Sequence, residues 1–111
     1  MRRLIKADGT EQDLPAPVSM REIAALIGAD TMDTVVMRHM GMPLHVMVVD
    51  DAGWETAVVK VGEFTRLEPI RPLKPINAKA TELYLRNCRP GTTHQIAGDV
   101  VVVPDEDYQG D

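Results

Sequence analysis

One cysteine, three histidines and seventeen carboxylates are the side chains of this 111-residue chain from which reactive chemistry could be built. Cys88 and His94 lie six residues apart. A thiolate–imidazole pair would supply nucleophilic catalysis if the two met within hydrogen-bond reach and the thiol lost its proton readily. No signature of a cysteine nucleophile surrounds Cys88, and a small apolar residue packed at a helix end is the better reading. His39 and His45 flank Met40–Pro43 and would approach each other across a hairpin, but two imidazoles without a third ligand at a known spacing do not make a metal site. Asp105, Glu106 and Asp107 are consecutive, whereas a calcium loop alternates its ligands. No glycine-rich loop ends in Lys-Ser or Lys-Thr, so the sequence offers no phosphate cradle. The expectation is a chain that is not an enzyme and uses no metal or cofactor.

Features suited to binding are better represented. Five methionines, at positions 32, 37, 40, 42 and 47, fall within sixteen residues. Most fit an aliphatic core, but Met40, Gly41 and Met42 sit at a loop tip, where burial would need a partner. Residues 60–90 carry seven basic and three acidic side chains, against five and nine in residues 1–59 and none and five in residues 91–111. Arg66, Arg71 and Lys74 in this basic stretch are candidate protein-binding residues, unless the acidic end neutralises them within the molecule. Arg66 to Pro72 also fits a basic-x-x-Pro-x-x-Pro ligand of SH3-like grooves, and Pro69 to Lys74 fits the reverse orientation. Pro69, Pro72 and Pro75 recur every third residue, the period of polyproline II, and an extended connector over Glu68–Ile76 packed through Leu67, Ile70 and Leu73 is the preferred expectation.

Those residues must be positioned by a small set of elements. Arg2 to Ala7 reads as a strand. Asp8-Gly9 predicts a two-residue type I′ turn, and Thr10 to Leu14 a short return strand. Ser19 and Glu22 form a capping box, with Val18 and Ile23 placed as a hydrophobic staple and Gly28 as the closing glycine of a short helix. Thr34–His39, Leu44–Val49 and Trp54–Val61 read as three strands joined by short loops, which predicts an antiparallel meander. Asn77 is a good N-cap for a second helix over Ala78–Asn87. Gly98-Asp99 leads into Val100–Val103, whose four valines suit a central strand covered on both faces. The order β-β-α-β-β-β-α-β predicts an α+β fold with a mixed, mainly antiparallel sheet, helices on one face, and a start similar to a β-grasp fold.

Composition bounds the rest. The length fits one domain, expected over residues 1–104, with a flexible acidic tail at 105–111. Aromatics are only 4%, so the core must be aliphatic. A single cysteine excludes an internal disulfide framework and suits the cytoplasm. The net charge of −5 argues against nucleic acid as the main partner, and no apolar run is long enough to span a membrane.

The second half also carries a resemblance. Pro75-Ile76-Asn77-Ala78-Lys79-Ala80-Thr81-Glu82-Leu83-Tyr84, followed by Ile96-Ala97-Gly98-Asp99-Val100-Val101, is similar to the motifs of an uncharacterised domain family of bacteria, phages and mobile elements. The match covers residues 75–107, with residues 1–50 following in outline. That family has no established activity, so the resemblance implies no catalytic role. The Met40–Met42 tip and the basic 66–89 face point to a small non-enzymatic protein-binding module, and the resemblance implies that it is encoded by a phage or mobile element and directed at a host protein. The alternative is a small-molecule or nucleotide-binding protein whose pocket uses Asn77, Tyr84 and Asp99 or lies at the interface of a homodimer.

Overall fold

Four β-branched residues in a row can all be buried only where both faces of a sheet are covered, and Val100-Val101-Val102-Val103 is buried throughout. The computed structural model describes residues 2–37, 45–86 and 95–104. In chain order its elements are β1 (Arg3–Ile5), β2 (Glu11–Asp13), α1 (Met20–Ile27), β3 (Met32–Met37), β4 (His45–Asp50), β5 (Trp54–Val61), β6 (Phe64–Pro72), α2 (Ala78–Arg86) and β7 (Val100–Pro104). This is an α+β fold in the expected order, with one strand more, β6. The main sheet has five strands in the order β2-β1-β7-β4-β3, so the valine strand is central, and all of its pairings are antiparallel.

The alternation of side chains along β7 divides the core in two. Val101 and Val103 meet Leu4, Val46 and Val48, and α1 covers them with Ile23 and Ile27. Val100 and Val102 meet Ile5, Met47 and Ile96, and α2 covers them with Ala80. The helices therefore lie on opposite faces, not on one face as the element order suggested. The physical reason was present in the valine run itself, which one covered face could not have buried.

Three local expectations are corrected. The β1–β2 connection is not a type I′ turn. Only Gly9 has positive φ, at +96°, and Lys6 pairs with Thr10 across a three-residue loop. Asp8 keeps negative φ because its carboxylate accepts from the Thr10 amide at 2.9 Å and the Thr10 hydroxyl at 2.6 Å. Second, β3, β4 and β5 are not a meander. β4 pairs with β3 and β7, while β5 leaves the sheet and, among the described residues, pairs only with β6. Third, the proline-rich stretch is not a polyproline II connector, since Phe64–Pro72 is a ladder strand.

The first helix follows its sequence signals closely. The Glu22 amide donates to the Ser19 hydroxyl at 3.1 Å, and the Glu22 carboxylate accepts from the Ser19 amide. Val18 packs on the cluster that holds Ile23. Gly28 closes the helix at φ +66°, where a side chain would be strained. Replacing Ser19 with alanine should cost about 1 kcal/mol, read as a lower urea midpoint with an unchanged slope.

Candidate functional site

The second sheet is an arm. β5 and β6 pack extensively on each other and only marginally on other elements. The described residues span 48 × 32 × 28 Å, with a radius of gyration of 14.5 Å, above the roughly 13 Å of a compact chain of this size. Gly62 and Glu63 form the two-residue turn at the tip, with Gly62 at φ +62°, the position a type II′ hairpin turn gives to glycine.

Pairing register assigns the arm's faces. Thr56↔Pro69, Val58↔Leu67 and Lys60↔Thr65 share one face; Ala57↔Glu68, Val59↔Arg66 and Val61↔Phe64 share the other. Ile70 is the extra residue of a bulge opposite Glu55 and Thr56. Arg71 pairs with Glu55 and Arg66 with Glu68, both on the second face. The first face is bare: Val58 is 69% and Leu67 68% exposed. Phe64 at the tip is 78% exposed, and Val61, Ile70 and Leu73 also stand in water.

The base of the arm is fixed to the body. The Leu73 amide donates to the Gly53 carbonyl at 2.9 Å. Gly53 is buried where a Cβ would come within 3.2 Å of the Asp50 carbonyl and 3.3 Å of the Ala97 carbonyl, so no larger residue fits without displacement. Lys74 reaches inward. Its ammonium pairs with the buried Asp50 carboxylate and donates to the Ile27 and Gly28 carbonyls at 3.4 and 3.3 Å. Lys74 thus ties the arm to β4 and to the C-terminal end of α1, where a cation is favoured.

The candidate residues of the sequence fall in three groups. Met40, Gly41, Met42, His39, Cys88, His94 and the acidic 105–111 segment lie outside the described residues. Arg66 and Arg71 lie on the ion-paired face of the arm, and Lys74 at its base. Carboxylates that meet the basic stretch come from Glu11, Asp50, Glu55, Glu68 and Glu82.

Asn77, Tyr84 and Asp99 belong to the joint between α2 and β7. Asn77 is fully buried. Its amide nitrogen donates to the Ile5 and Gly98 carbonyls, both at 3.0 Å, and its oxygen accepts from the Ala80 amide at 3.0 Å, capping α2. Thr81 accepts from the Ile96 amide at 2.9 Å. Asp99 accepts from the Ala7 amide at 2.9 Å. Tyr84 packs, half-buried, against the cluster beneath α2. The asparagine, alanine, threonine, glycine and aspartate of the quoted motifs therefore have structural work that joins β1, α2 and β7.

Two shallow clefts open on the body, the first lined mainly by polar surface and the second by polar and apolar surface in similar measure, Ile27 and Pro75 supplying part of its apolar wall. One, of about 260 Å³, is lined by Arg3, Glu11, Lys79, Glu82 and Arg86. The other, of about 370 Å³, is lined by Lys6, Asp8, Lys74 and Asp99. Neither is lined by Asn77 or Tyr84, so these two clefts do not bring the three expected pocket residues together. Among the described residues no group of three or more His, Cys, Asp or Glu side chains could hold a metal, and no described helix is long and apolar enough to cross a membrane.

Two carboxylates here titrate low. The Thr10 hydroxyl, then the Thr10 amide, holds Asp8 below its ordinary value; the Lys79 ammonium, aided by Arg3, does the same for Glu11. A carboxylate whose pKa is depressed by folding contributes stability above its unfolded pKa and loses it as pH falls through the folded one. Thermal melts of the wild type should therefore fall in midpoint as pH drops below the ordinary carboxylate range of about 4, and Glu11→Gln should flatten that fall slightly. A pH-independent difference between the two proteins would show that Glu11 gains nothing from its ion pairs.

Sequence reading missed the arm's apolar face. Pro69, Pro72 and Pro75 drew attention to a period of three, while the Gly62-Glu63 turn between two alternating runs was the signal for a hairpin. No family model matches the chain, and no curated protein and no solved structure is significantly similar to it.

Proposed function

We propose that the chain is a small non-enzymatic protein-binding module that makes its contact through the β5–β6 arm. The observation that carries this reading is the exposure of Val58, Phe64, Leu67 and Ile70 on an element that projects from the body. Aliphatic and aromatic side chains in water at this density mark an interaction surface. The resemblance over residues 75–107 supports a role as a modulator of a host protein, encoded by a phage or mobile element, and the single cysteine suits the cytoplasm.

Capture from host lysate with tagged protein tests this. The Phe64→Ser/Leu67→Ser variant should retain its fold, because both side chains are exposed, and should lose the captured protein by at least about tenfold, as a loss of hot-spot residues gives. Equal capture by variant and wild type would overturn the reading. So would a rise in melting temperature with a nucleotide or other small anion in place of any captured protein, since that would point to a ligand-binding protein.

A further inference from the structure

We infer that the outer edge of β5 takes up an extended segment of a partner protein as a third, antiparallel strand, and that this segment carries an acidic side chain opposite Lys60 and an aliphatic one opposite Val58. The inference rests on the reading of the arm as the contact element and names how the contact is made and with what.

Register decides which backbone groups the arm leaves unused. A two-residue hairpin turn closes on a hydrogen-bonded pair, here Val61 and Phe64. Hydrogen-bonded and non-hydrogen-bonded pairs alternate from there. Val59↔Arg66 and Ala57↔Glu68 therefore bond to each other, while Lys60↔Thr65, Val58↔Leu67 and Thr56↔Pro69 turn their backbone polar groups away from the ladder. At the base the Leu73 amide donates to the Gly53 carbonyl at 2.9 Å, which makes Trp54↔Pro72 an outward pair as well.

The two edges that result are unlike. Both prolines of β6, Pro69 and Pro72, fall at outward positions, where they supply no amide hydrogen and blunt that edge against pairing. β5 has no proline. Thr56, Val58 and Lys60 present amides and carbonyls at alternate positions along it, and among the described residues none of the three bonds to anything outside the β5–β6 ladder. A ribbon of two strands is marginal in water, and a third strand on this edge brings the arm to the number that an independently stable sheet needs.

Side chains give the added segment its chemistry. Thr56, Val58 and Lys60, whose backbone groups point outward, are also the β5 residues of the bare face, so an added strand sets every second side chain beside them. Arg66 and Arg71 are paired with Glu68 and Glu55, whereas Lys60 is in no ion pair among the described residues. A carboxylate directly across from Lys60 supplies the missing charge. Val58 is 69% exposed with Leu67 beside it at 68%, and an aliphatic side chain across from Val58 extends that pair into a row of three. Every strand pairing in this fold is antiparallel among the described residues. In an antiparallel segment the acidic residue stands two places before the aliphatic one.

The test is selection of random octapeptides displayed on phage against the full chain. Selected peptides should share an acidic residue two places before a valine, isoleucine or leucine. Val58→Pro removes one outward amide hydrogen and no ladder bond, as Pro69 does on β6. With an unchanged circular dichroism spectrum it should bind the selected peptides at least about tenfold more weakly, as loss of a hydrogen bond that leaves its partner carbonyl unmet gives. Thr65→Pro, the same change on β6, should bind as the wild type does. Lys60→Glu, at an exposed position, should select a basic residue in place of the acidic one. Failure to select any peptide, peptides without this spacing, or full binding by a folded Val58→Pro overturns the inference. So does a wild type of twice the chain mass by light scattering that Val58→Pro returns to the single-chain mass, since the edge then takes a second copy. Host-protein capture that falls with Phe64→Ser/Leu67→Ser but not with Val58→Pro would overturn edge pairing alone and leave the arm as the contact. Capture that falls with neither would remove both.

Discussion

Asn77→Ala should lower the unfolding free energy by about 3–5 kcal/mol, the largest loss expected of any single polar substitution here. Two buried carbonyls, those of Ile5 and Gly98, would lose the donor that satisfies them, at about 1–3 kcal/mol each. The Ala80 amide in the first turn of α2 would lose its cap, at about 1 kcal/mol. Asn77→Asp separates these contributions. Aspartate caps a helix as well as asparagine does, so a residue acting only as a cap would tolerate it. In this site a carboxylate would place a second oxygen against two carbonyls, with no solvent to screen it, and the loss should equal or exceed that of alanine at neutral pH. Burial and the two carbonyls would raise the pKa of the new carboxyl, so part of the loss should return on acidification. Urea midpoints at pH 7 and pH 4.5 read both effects. A change below about 1 kcal/mol for either variant would contradict the hub role of Asn77.

That role shows what the sequence could and could not reveal. Asn77 was legible as a helix cap because capping needs only an oxygen three residues before a free amide. Its two donor bonds were not legible, because Ile5 and Gly98 lie 72 and 21 residues away and no local rule links them. Likewise Ser19, Glu22 and Gly28 announced α1, and four valines announced a central strand. Which face each helix takes depends on the β1–β7–β4 register, which couples residues from both ends of the chain.

The arm is hard to read from sequence for a different reason. Proline spacing and strand alternation compete in Phe64–Pro72, and alternation wins. On an edge strand a missing amide hydrogen costs little, because that side of the ladder has no partner. Pro69 and Pro72 therefore sit in β6 without breaking it, and the bulge at Ile70 absorbs the irregularity. Leu67, Ile70 and Leu73 were expected to pack on the core. They are instead 68%, 57% and 55% exposed, because the connector that would have laid them down is a hairpin standing away from the body.

Lys74 is where a structural and a partner-binding role make opposite predictions. Its ammonium serves the Asp50 carboxylate, whose side chain is only 5% exposed, while the lysine itself is 31% exposed. Removing one member of a fully buried pair costs about 3–5 kcal/mol. Solvent at the lysine lowers that to about 2–3 kcal/mol for Lys74→Met, since water can reach part of what the ammonium leaves behind. Asp50→Asn should cost less, because an amide oxygen can still accept from the Ala52 amide, which now donates to the carboxylate at 2.9 Å. The double variant should lose less than the sum of the two, by about 1–2 kcal/mol, as contacting partners do. The α1 end adds a second readout: the Ile27 and Gly28 carbonyls lose a donor in Lys74→Met but not in Asp50→Asn, so amide exchange near Ala29 should quicken only in the former. A lysine held for a partner would behave otherwise. Its removal would leave the urea midpoint within about 0.5 kcal/mol of the wild type, show no coupling to Asp50, and weaken only the association.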